Sequence, residues 1–153
     1  MKRLVVLLAA FFSAAFPVAA AAADSRANGG GRGTVDGVNP FSQFGFGVTF
    51  SDGGVASGNF NCLMAGSAAF PGFEPLMKVS GAVLTGTATP SLGVAEFTGS
   101  GTLNLGPSGR MPATFVVTIK EGGPGVGKLH LTVLTPPFPV PEETVLAGFI
   151  KLS

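Results

Sequence analysis

The chain has 153 residues, nearly balanced charge, 24 glycines, 14 phenylalanines, one cysteine (Cys62), one histidine (His130) and neither Trp nor Tyr. A single cysteine excludes an internal disulfide, so stability must come from apolar burial and backbone hydrogen bonds. The Lys and Arg residues are scattered along the chain with no basic run, so no nucleic-acid partner is expected.

Lys2 and Arg3 precede an apolar stretch over 4–16, Pro17 interrupts it, and alanines fill 19–23. This is the pattern of a secretory signal peptide, with Ala21 and Ala23 before a cleavage site at Asp24. The apolar run is shorter than the roughly 20 residues of a spanning helix, and no later segment is long enough to cross a membrane. The expected organisation is a signal peptide over 1–23, a flexible polar N-terminus over 24–32 and one domain over 33–153. The expected location is extracellular or periplasmic. The low charge and high Gly and Ala content fit a bacterial source with a GC-rich genome.

Residues 33–37 read as a short first strand. Over 43–51 the chain alternates: Phe44, Phe46, Val48 and Phe50 share one face, and Gly45, Gly47, Thr49 and Ser51 the other. That period of two marks a half-buried strand. Asp52-Gly53-Gly54 is a hairpin turn signal. A strand over 55–64 follows, with Phe60, Cys62 and Met64 on one face. Prolines 71 and 75 make 65–75 a loop. The next two strands run over 76–89 and 94–105, the second placing Ala95, Phe97, Leu103 and Leu105 on one parity.

The stretch over 111–135 is two alternating runs around a glycine-rich loop. Its expected inner face is Phe115, Val117, Ile119, Leu129, Leu131 and Val133. Residues 122–128 satisfy G-x-x-x-x-G-K, the spacing of a phosphate-binding loop. The context fails: Leu129 stands where a metal-holding Ser or Thr belongs, Pro124 removes an N–H donor, and a strand pattern follows instead of a helix. The loop is read as a hairpin tip. Four prolines make 135–141 an extended linker, and a last strand runs from 142 to the C-terminus. About eight strands joined by tight turns predict an all-β fold: an antiparallel meander closed as a barrel or barrel-like sandwich.

Few residues suggest chemistry. His130 lies on the parity opposite Leu129, Leu131 and Val133 and is expected to face solvent. Use of it by a barrel enzyme would need an acid within reach. Cys62 reads as a buried small apolar residue. Glu142 and Glu143 are neighbours and point to opposite faces of a strand, a poor arrangement for paired acid–base work. No catalytic, cofactor-binding or metal-binding residue is assigned. Phe44, Phe46, Phe50, Phe60, Phe97 and Phe115 fall on inner faces, either as core or as the lining of an apolar-ligand cavity. The leading reading is a secreted, non-catalytic binding or structural module whose partner would be an extracellular protein. A carrier of a small apolar ligand is the alternative.

The ordered runs GGGRGTV, FGFGVTF, SGNFNC, FTGSGTLN, ATFVVTIKEGGPGVGKLHLTVL and LAGFIKL resemble the post-COAP domain, a module of secreted, often multidomain bacterial proteins. The resemblance spans essentially the whole chain after residue 23 and implies an exported β-module with no settled activity. Where the family carries D-x-G-x-P-G and a further Asp, this chain has Glu121-Gly122-Gly123-Pro124-Gly125 and then Lys128-Leu129-His130. An ion-binding role for the family's acids would therefore not carry over. A barrel like that of allene oxide cyclase or dirigent proteins is similar in architecture alone.

Overall fold

The computed structural model describes residues 24–65 and 76–153; the expected signal segment and nearly all of the 65–75 loop lie outside them. Nine strands follow in order: β1 (Ser25–Thr34), β2 (Ser42–Ser51), β3 (Val55–Ala65), β4 (Leu76–Thr89), β5 (Val94–Asn104), β6 (Arg110–Lys120), β7 (Lys128–Thr135), β8 (Pro137–Pro139) and β9 (Glu143–Leu152). From β1 to β7 each strand lies antiparallel beside the one before it, and β9 pairs with both β7 and β1. The sheet therefore closes in a ring, as the meander pattern predicts. Closure removes the open edges that would template further pairing. β8 is a short addition within the proline-rich linker, pairing with the far half of β7.

The tight turns follow their residues. Gly53 and Gly54 hold φ of 77° and 80° between β2 and β3, where a Cβ would be strained. Pro90 opens a short 3-10 turn before β5, and Pro107 is the middle residue of another before β6. Bulges bend the ring: pairing slips between Val83 and Thr85 on β4 and between Arg32 and Gly33 on β1.

One expectation fails. Residues 24–32, read as a flexible N-terminus, form most of β1, held between β2 and β9. The glycines there make room for larger groups. A Cβ on Gly29 would stand 2.5 Å from the Phe46 ring, and one on Gly33 would collide with the Glu143 carboxyl group. The same exchange recurs round the ring. Gly86 lies against Phe50 and Phe97, and Gly99 lies under Phe115. A bulky ring on one strand faces a missing side chain on another, so the alternation of Phe and Gly in the sequence becomes close packing.

All six inner phenylalanines are buried. Phe97 sits centrally, its ring centroid 5.7 Å from that of Phe46, 5.9 Å from Phe60 and 6.4 Å from Phe50. Phe60 in turn meets Phe115 at 5.3 Å. Val117, Ile119, Leu129, Leu131 and Val133 complete the core on β6 and β7, as alternation predicts.

Candidate functional site

The glycine loop between β6 and β7 does more than turn the chain. Its Gly122 N–H donates to the Ile150 carbonyl at 3.0 Å, and its Gly125 N–H to the Val145 carbonyl at 2.9 Å. Gly127 accepts from the Val145 N–H at 2.8 Å, while the Val126 and Gly127 N–H groups bond within the loop to Gly123. These amides are spent on β9 and on the turn itself, which leaves them turned away from any phosphate. The direct β7–β9 ladder covers only Lys128 with Thr144 and Leu129 with Glu143. The loop thus extends the closing seam of the ring.

His130 keeps the outward parity expected of it, but it is half-buried beneath the chain returning from β8. Its Nε2–H donates to the Val140 carbonyl at 3.0 Å. Its structural partner is a backbone carbonyl, which supplies no acid–base chemistry.

The interior holds a carboxyl group whose burial was not assigned from the sequence. Glu143 and Val145 share the inward parity of β9, and Glu143 is only 1% exposed. Ser42 Oγ–H donates to its Oε2. Its Oε1 is buried with no hydrogen-bond partner among the described residues. Burial pushes this carboxyl up to about 7, partly offset by the Ser42 hydrogen bond. Cys62 lies close by, fully buried as expected. Burial, reinforced by the nearby Glu143 charge, holds its thiol far above the ordinary range, although the Ser42 hydroxyl works the other way. A thiol so held is protonated and inert. Chemically, this group of side chains can hold a proton out of reach of solvent.

The outer face is organised differently. Strand register aligns Arg32, Gln43, Leu63, Lys78, Asn104 and Arg110 in one row across β1 to β6. The cations that are scattered in sequence therefore gather in space. In the next rows Asn28, Asn59, Asn61, Ser80, Ser100 and Thr102 also point outward, with Lys151 and Arg26 beside Asn28 on β9 and β1. These rows carry no acid. Gln43, Asn28, Asn59 and Asn61 make no side-chain hydrogen bond among the described residues, and the single ion pair found there, Lys128 with Glu142 at 2.7 Å, is elsewhere. The nearest acid in the chain after β1, Asp36, is spent locally. It accepts from the Asn39 and Val38 N–H groups, the Asn39 amide and the Thr34 hydroxyl, which hold it well below the usual carboxylate range.

A cleft of about 420 Å³ opens on this face, lined by Arg32, Gln43, Gly45, Asn61, Leu63 and Lys78. A second, of about 240 Å³, shares Arg32, Gln43 and Leu63 with it and runs on to Pro40 and Phe41. The floor is low because Gly45 has no side chain; a Cβ there would meet no atom within 4 Å. A third cleft, of about 390 Å³, lies on the opposite flank and mixes Lys120 and Lys128 with Glu96 and Glu142.

Among the described residues no group of three His, Cys, Asp or Glu side chains is placed to hold a metal ion, and no helix is long and apolar enough to cross a membrane. No family model matches the chain, and no match was found among curated proteins or solved structures.

Proposed function

We propose that this is an exported, non-catalytic β-module of the post-COAP type that works through its outer face. The observation that supports this reading most is the ring cluster: the phenylalanines that could have lined an apolar cavity are buried against one another. That favours a scaffold over a carrier, because a ligand would have to displace rings that already pack on one another. The role of His130 as a backbone donor and the protonated state of Cys62 support a non-catalytic part. The signal-peptide pattern of 1–23 supports export.

Titration of the purified chain with an apolar fluorescent probe tests the scaffold reading. No saturable signal is expected; stoichiometric binding quenched by Phe97→Ala would restore the carrier. Mass measurement after expression in an exporting bacterial host tests the address. The expected product begins at Asp24, and an uncleaved chain retained in the cytoplasm would overturn it.

A further inference from the structure

We infer that the outer face of β1 to β5 binds an acidic glycan, its carboxylates at Arg32 and Lys78 and its hydroxyls on the intervening amides. This rests on the reading of the protein as an outer-face binding module.

The argument begins with sign. Arg26, Arg32, Lys78, Arg110 and Lys151 stand on or around this surface, and no acid stands within its rows. None of these cations has an ion-pair partner among the described residues. Spacing comes next. Arg32 and Lys78 lie three strands apart in one row, roughly 14 Å at the usual interstrand distance. That is too far for one compact anion and suits separate charges along an extended chain. Between them, Gln43 and Asn61 offer free amides that both donate and accept, the chemistry that reads sugar hydroxyls. Asn59, Ser80, Ser100 and Thr102 continue the same chemistry away from the cleft.

Other polyanions fit less well. A nucleic acid carries a phosphate on every residue and asks for denser Lys and Arg, with exposed aromatic rings for unstacked bases. The rows described hold a single exposed ring, Phe149 beside Gly30 at their β9 end, where unstacked bases would ask for several. A peptide that binds by adding a strand needs an open edge, and this ring has none at β1 to β5.

The experiment is calorimetric titration of the full chain with a defined oligogalacturonate. Its controls are the same oligomer methyl-esterified on its carboxyl groups, a single-stranded DNA oligonucleotide and a polyglutamate. Binding of the free acid, weakened by salt and lost on esterification, is expected. Arg32→Ala with Lys78→Ala should weaken it roughly tenfold or more, as loss of two charge-assisted contacts implies. Gly45→Leu should fill the cleft floor and weaken it with the melting temperature unchanged, because the added side chain meets no protein atom at its root. Undiminished binding by both variants would overturn the site. Failure of the free acid to bind, or equal binding of DNA or polyglutamate, would overturn the ligand class. Neither result touches the scaffold reading, which fails only by the apolar-probe and export measurements.

Discussion

The inside and the outside of this ring use the same alternating strands to opposite ends. Inward positions set rings against glycines, and the one carboxyl among the described inward residues, Glu143, is held by Ser42 with an oxygen left unpaired. Outward positions on β1 to β4 leave Arg32, Lys78, Gln43 and Asn61 without side-chain partners among the described residues, over a cleft whose floor is Gly45. On the inner face a missing side chain is filled by a neighbouring ring; on the outer face it stays open. Burial therefore makes the interior sensitive to any change of shape or charge, whereas the outer face should tolerate substitution without loss of fold.

The largest effect is expected where the rings converge. Phe97→Ala should cost about 3–5 kcal/mol in chemical denaturation, since the ring is fully buried and touches Phe46, Phe50 and Phe60. A cost below that of an ordinary surface change would mean that the interior is loose.

Next comes the buried carboxyl. Below its ordinary value of 4.5, Glu143 is protonated in folded and unfolded chains alike and carries no penalty. Between 4.5 and about 7 the unfolded chain releases the proton while the folded chain keeps it, so stability falls as pH rises. Above 7 the loss is constant. The total is about 3 kcal/mol at 1.36 kcal/mol for each unit of displacement. Glu143→Gln should flatten this slope and leave a protein more stable than the parent at neutral pH. An unchanged pH profile of urea unfolding in the variant would sink the assignment.

Gly33→Ala probes the same place sterically. Its methyl group would collide with the Glu143 carboxyl group, and a loss of about 1–3 kcal/mol is expected from overpacking. Combined with Glu143→Ala the loss should shrink, because the obstacle is gone.

The outer face should give the smallest numbers. Lys128→Ala removes an ion pair whose partners are 46% and 51% exposed, and its cost should stay at or below about 1 kcal/mol and fade with salt. Arg32→Ala with Lys78→Ala should move the melting temperature little, within about 0.5 kcal/mol for each surface change. A large destabilisation there would mean that the cations serve the fold.

The sequence by itself determined the alternation, and with it most of the architecture. The period of two placed Phe44, Phe46, Phe50, Phe60, Phe97 and Phe115 inside, and turn residues such as Asp52-Gly53-Gly54 set the meander. Side-chain direction along a strand is a local property, so local residues reveal it. The glycines of 29–31 were misleading for the same reason. Read locally they resemble a linker, and only the Phe46 ring packed on Gly29 and the pairing with β2 and β9 make them a strand.

Closure was expected from the meander, but the contacts that make it were beyond local reading. The loop over 121–127 shows its glycines in the sequence, but not that its amides bond to β9. Glu143 lies within the strand read from 142 onward and shares the parity of Val145, so its inward direction was legible there. Its lack of a second partner depends on what surrounds it. The row of Arg32, Lys78 and Arg110 lies furthest from the sequence. These residues are tens of positions apart, and only the register of β1 through β6 brings them level. Register across a sheet is fixed by all the inward contacts together, so the tertiary structure decided which charges stand side by side.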